Sequence, residues 1–132
     1  MPIYENKIVL LKQLRPPYTT PFLNIVMGGM KNKETPVQAA KRECIEEIGV
    51  VPKQLTNLGK IIQLPGSANI ETYLFISRFI ERPAIPGSIT EPILDFFFYS
   101  KKEIKRLIER NKIVESTTLV ALLLALKANR GD

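Results

Sequence analysis

The chain contains no histidine. That absence removes the commonest general base and the commonest metal ligand, so acid–base or cation chemistry falls to carboxylates, lysine, tyrosine or a thiol. Its one cysteine, Cys44, excludes an internal disulfide and suits a reducing, cytoplasmic setting. Long hydrophobic runs are also missing. The stretch "TTLVALLLALKA" near the C-terminus is too short to span a bilayer and reads as a buried helix. The N-terminal "IVLL" is too short for a signal peptide, so no membrane association is expected. No internal repeat, low-complexity tract or dividing linker interrupts the 132 residues, and residues 1–132 are expected to form a single domain.

What is present is a globular composition, 45% hydrophobic and 24% charged. The net charge of +6 suits an anionic partner, either a phosphorylated small molecule or nucleic acid. The basic residues form no dense block, which disfavours nucleic acid and reads first as a solvated surface.

"KIVLLKQLR" (7–15) reads as a strand, broken by the three prolines of "PPYTTP". "FLNIVM" (22–27) reads as a second strand, ended by Gly28-Gly29. The clearest helix follows: Thr35 is a good N-cap, Pro36 fits the first turn, Gln38 completes a capping box and Gly49 is placed to stop it. Residues 58–64 and 70–80 read as strands around a "PGSAN" turn, 93–100 as another strand, and 101–112 and 116–129 as helices. Strands, helix, strands, helices makes the class α+β, with a sheet covered by helices.

On the helical wheel Val37, Ala40, Cys44 and Ile48 form an apolar stripe, and Glu43 and Glu47 lie along one edge of it, with Glu46 further round. Like charges three and four residues apart cost about a few tenths of a kcal/mol per pair, and the C-terminal turn is already the negative end of the helix dipole. A solvated acidic face is the plain reading. A hard divalent cation is the other, because carboxylate oxygens on adjacent turns are the ligands such ions take.

The spacing around these acids resembles a known family. Gly28, five residues, Glu34, seven residues, then "RECIEEIGV" (42–50) is similar to the Nudix box, G-x5-E-x7-R-E-U-x-E-E-x-G-U, with U a bulky apolar residue. Every fixed position is met. The resemblance implies a Nudix hydrolase with an α/β/α sandwich around a mixed β-sheet, hydrolysing a nucleoside diphosphate linked to a further group with Mg2+ or Mn2+. On that resemblance Glu43, Glu47 and the Met27 carbonyl hold the cation, with Glu46 in or near its shell. Arg42 and Glu34 pair to hold the loop against the helix, and Gly28 and Gly29 let the backbone approach the phosphates. The cation would neutralise the pyrophosphate and activate water, and a carboxylate would take the proton.

Outside the box the chain looks like the ADP-ribose pyrophosphatase branch. "QLRP" (13–16) resembles its arginine-bearing strand end, which makes Arg15 a candidate phosphate contact. Pro65 resembles its marker proline, and Glu91 in "ITEPI" stands where the branch carries a catalytic glutamate, beside Glu46 and Glu47 as candidates for the base. Asn24 replaces the glutamate usual before the box, and the extra N-terminal β-domain usual in the branch is not seen, which leaves a homodimer through another surface open. The expected substrate is a nucleotide-type small molecule, ADP-ribose or a related nucleoside diphosphate sugar. The rival readings are a nucleoside triphosphate or dinucleoside polyphosphate hydrolase, and a non-catalytic nucleotide- or RNA-binding Nudix module. Among the aromatics, Tyr18, Phe22, Tyr73 and Tyr99 are candidates to stack on a base, with core packing the plainer role.

Overall fold

The computed structural model of the chain describes residues 1–79, 81–85 and 93–128. Its strands are β1 (Pro2–Tyr4), β2 (Lys7–Gln13), β3 (Phe22–Asn24), β4 (Gln54–Gln63), β5 (Ile70–Phe79) and β6 (Ile93–Tyr99). The helices are α1 (Pro36–Ile48), α2 (Lys101–Glu109) and α3 (Ser116–Ala128). Among the described residues no helix is long and apolar enough to cross a membrane.

The strands form one mixed sheet in the order β3-β2-β1-β5-β4, with β6 also on β2. The centre is β2. Its inward alternation places Ile8 and Leu10 in one apolar cluster with Ile104, Leu122 and Ala125 of α2 and α3. Leu11 falls in a second cluster with Cys44 and Ile48 of α1. Helices therefore cover both faces, the expected α/β/α arrangement. One edge of β2 pairs with β6 over residues 8–13. The other edge is shared end to end, by β1 at residues 7–8 and by β3 at residues 11–13. Only β1 goes on to pair, in parallel, with β5. The sheet consequently divides beyond β1, and a cleft opens there under α1.

Several sequence expectations shift: the strand expected over 58–64 begins at Gln54, and the one expected over 7–15 ends at Gln13. The three-residue β1 is an additional strand, too short to show a period. The strand expected over 22–27 stops at Asn24. The Ile25 N–H donates to Thr118 Oγ1 at 3.2 Å and the Met27 N–H to a Glu47 oxygen at 3.1 Å, so distant side chains replace the ladder. The helix expected over 101–112 ends at Glu109, because Asn111 adopts a left-handed φ of 51°. The stripe on α1 is also turned: Val37 is exposed, while Ala39 and Glu47 are buried beside Cys44 and Ile48. The acidic edge of the helix, and not Val37, faces inward.

Candidate active site

Helix α1 is held in register by its ends. Thr35 Oγ1 accepts the Gln38 N–H at 3.2 Å, and the Gln38 side chain accepts the Thr35 N–H at 2.9 Å. Gly49 closes the helix with φ 70°, its N–H donating to the Ile45 carbonyl. Within that frame Arg42 forks onto Glu34, with Nε to Oε1 at 2.8 Å and NH2 to Oε2 at 3.0 Å. NH2 also donates to the Gly29 carbonyl at 2.8 Å. The loop of residues 29–34 is thereby tied to the helix. Arg42 NH1 reaches Glu43 at 2.5 Å and Glu46 at 3.0 Å. This pairing, first with Glu34, holds the Glu34 carboxyl down at about 2 and raises Arg42.

The three box acids behave differently. Glu46 is exposed, held by Arg42 and by Lys31 at 3.6 Å. The Glu43 carboxyl lies directly on Gly28, where a Cβ would overlap it. Gly28 has no unusual φ, so glycine is needed there for the close approach. Gly29 faces open space, and its carbonyl is the part in use. Glu47 is 5% exposed and points inward. One of its oxygens accepts from Met27 N–H and the other from Gln13 Nε2 at 3.4 Å. Burial pushes its carboxyl up to about 7, partly opposed by these hydrogen bonds and by Arg15.

Gln13 and Asn24, both fully buried, complete this arrangement. Asn24 Nδ2 donates to Gln13 Oε1 at 2.7 Å, and Arg15 NH2 donates to the same oxygen at 3.2 Å. Arg15 is thus brought beside Glu47 through Gln13. Sequence reasoning passed over Gln13. Its signal was its place on the same inward alternate of β2 as Val9 and Leu11, where an amide needs a polar partner.

Glu91 lies outside the described residues. Pro65 sits in the exposed β4–β5 turn, where Ser67 and Ala68 N–H both donate to the Leu64 carbonyl. Tyr18 is 64% exposed with its ring edge-on to Phe22, and Tyr73 is also exposed, so core packing does not describe either. Cys44 is buried, and desolvation pushes its thiol up to about 11, which leaves it inert.

Among the described residues no three acidic or thiol side chains gather into a ready cage for a cation. The donors nevertheless fit one. Two carboxylates lie on consecutive backbone positions, Glu47 on Met27 and Glu43 on Gly28, where the missing Cβ gives close access. A hard divalent ion takes such oxygens, and it stabilises the charged form of a carboxyl that burial disfavours.

The NUDIX domain family model matches residues 1–116. The chain belongs to the Nudix family. Among curated relatives, this Nudix chain is 27% identical over 119 residues to a methanol dehydrogenase activator of Bacillus methanolicus. It is 24% identical over 119 residues to an ADP-ribose pyrophosphatase of Bacillus subtilis (strain 168). Each match covers 89% of this chain and 64% of the relative, so the chain spans about two thirds of their length at most. The crystal structure of an ADP compounds hydrolase superposes with a TM-score of 0.86 at 22% identity, covering 98% of this chain and 70% of that one. That likeness establishes the Nudix fold.

Proposed function

We propose that this Nudix chain is a divalent-cation-dependent pyrophosphatase. Its favoured substrate is ADP-ribose or a related nucleoside diphosphate sugar, cleaved to a nucleoside monophosphate and a sugar phosphate. The observation that carries this reading is the placing of Glu43 and Glu47 on the backbone of Gly28 and Met27. A carboxylate pressed against glycine and a second one buried beside it cost stability in a protein that binds no cation. The relatives described as acting on ADP-ribose and on ADP compounds support the ADP-type substrate.

In this reading Glu43, Glu47 and the Met27 carbonyl hold Mg2+ or Mn2+. The bound ion would neutralise the pyrophosphate and make water a better nucleophile. The chain's own residues do the rest. Arg42 and Glu34 keep the Gly28-Gly29 loop in place for the phosphates. Arg15, next to Glu47, offers charge to them. Water adds to one phosphorus, the bridging P–O bond breaks, and the proton passes to a carboxylate, with Glu46 and Glu91 as the candidates. A cytoplasmic setting agrees with Cys44 kept as a thiol.

The test is a panel of ADP-ribose, sugar nucleotides, dinucleoside polyphosphates and nucleoside triphosphates with Mg2+ or Mn2+, with products identified. ADP-ribose is expected to give AMP and ribose 5-phosphate, and Glu47→Gln to lower kcat about a thousandfold with the fold intact by circular dichroism. Unchanged turnover in that variant sinks the assignment.

A further inference from the structure

Gln13 is the last residue of β2, on the inward alternate that Val9 and Leu11 fill. Asn24 of β3 pairs with Leu11, so it is the diagonal neighbour of Gln13 on that face. Both side chains are fully buried, and they meet, with Asn24 Nδ2 donating to Gln13 Oε1 at 2.7 Å. Packing alone does not ask for an amide here. Val9 and Leu11 show that the face takes apolar side chains, and a buried amide demands partners that an apolar residue does not.

Arg15 fixes which way the amide points. A guanidinium has only donors, so the Gln13 atom that faces Arg15 NH2 at 3.2 Å is the oxygen. Asn24 then presents its nitrogen to that same oxygen, and Gln13 Nε2 is left facing Glu47 Oε1 at 3.4 Å. Two contacts behind the amide thus aim its donor at the carboxylate. Met27 N–H holds the other carboxyl oxygen at 3.1 Å. One donor on each oxygen sets the plane of the carboxylate. Met27 alone leaves it to turn about its last torsion, which is a broad one in glutamate.

We propose that Gln13 is a positioning residue, whose Nε2 fixes the Glu47 carboxylate in the orientation that holds a divalent cation. The inference rests on the pyrophosphatase reading for the presence of the cation, and it adds the residue that prepares one of its ligands. The Nε2 contact is long, so its part is to orient. Groups that hold a metal ligand from behind typically carry about 10–100-fold in metal affinity.

The experiment uses the full chain freed of metal and reads Mn2+ binding by electron paramagnetic resonance, with no substrate present. Gln13→Met keeps the length of the side chain and removes the donor. It is expected to weaken Mn2+ binding at least about tenfold with the fold intact by circular dichroism. In a Glu47→Ala background, which has no carboxylate to aim, the same substitution is expected to change Mn2+ affinity by less than about twofold. Equal losses in the two backgrounds mean a merely structural role and overturn the proposal. Unchanged affinity in folded Gln13→Met overturns it as well. If Gln13→Met does not fold, the wild type decides: its Gln13 side-chain amide protons are expected to exchange slowly and to shift when Mg2+ is added, and unmoved resonances overturn the proposal. A wild type that binds no Mn2+ overturns the proposal together with the cation site. A wild type that binds Mn2+ through Gln13 yet hydrolyses no nucleotide refutes the pyrophosphatase reading alone. An active one indifferent to Gln13 refutes the positioning role alone.

Discussion

At the scale of single residues, the site depends on two groups that are close to unfavourable. Gly28 is a glycine because the Glu43 carboxyl occupies the space of a side chain. In Gly28→Ala the clash falls on the end of a flexible side chain, so Glu43 gives way and the backbone stays. Stability is expected to change by less than about 1 kcal/mol, since nothing in the core moves. Turnover is expected to fall about a hundredfold, because a ligand displaced by about an ångström no longer holds the reacting groups in place. Thermal melting alongside kcat/KM checks this, and an alanine variant with full activity contradicts the close-approach role. Gln13 shows the same economy of space. One amide steers Glu47, receives Asn24 and receives Arg15.

At the scale of elements, α1 and the loop before it form one unit. The capping box and Gly49 fix the ends of the helix, and Arg42 joins its middle to Glu34 and Gly29. The planar fork of Arg42 is what spans these partners, and a lysine keeps the charge without the geometry. Arg42→Lys is therefore expected to lower stability by about 1–2 kcal/mol and kcat/KM about tenfold. Limited proteolysis within residues 29–34 is expected to quicken with it. Denaturant melts and cleavage mapping check this, and a lysine variant protected like the wild type speaks against the tether. The neighbouring helix α2 shows the same local logic, with its own capping box between Ser100 and Glu103.

At the scale of the whole molecule, burial of Glu47 couples the site to global stability. Its folded-state value of about 7 lies above the ordinary carboxylate value of 4.5. Between those values the native chain keeps a proton that the unfolded chain has lost, so stability falls as pH rises through that window. The loss is on the order of 3 kcal/mol, complete above about pH 7. Glu34 has the opposite sign. Its value is lowered to about 2, so the stability it contributes is present above 4.5 and lost as pH falls through about 2. The two windows do not overlap. With a chelator present, the melting temperature is expected to decline from pH 5 to pH 8, and the decline is expected to flatten in Glu47→Gln. A flat wild-type profile contradicts this burial. The division of the sheet beyond β1 is also a whole-molecule property, and the cleft there is lined by Gly28 and Glu43 together with residues 70–75 of β5.

Much of the site could be read from the chain because its determinants are local. Thr35, Pro36 and Gln38 set the start of α1 within one turn, Gly49 sets its end by bonding Ile45 four residues back, and the spacing from Gly28 through Glu34 to Glu47 specifies which side chains share a helix and a loop. The strand ending at Asn24 was not legible, because its stop is made by Thr118 and Glu47, 93 and 20 positions from the N–H groups they capture. The inward turn of Glu47 was not legible either. A helical wheel places the lines through Val37 and through Glu47 side by side, and only the residues packed opposite decide which is buried. Helix position, capping and the identity of the acids are written locally in the chain, since they rest on contacts within a few residues. Tertiary packing sets the rest: Glu47 enters the protein on Gln13 and Met27, and Glu43 rests on Gly28. Each of those depends on surfaces that meet only when the sheet and its helices assemble.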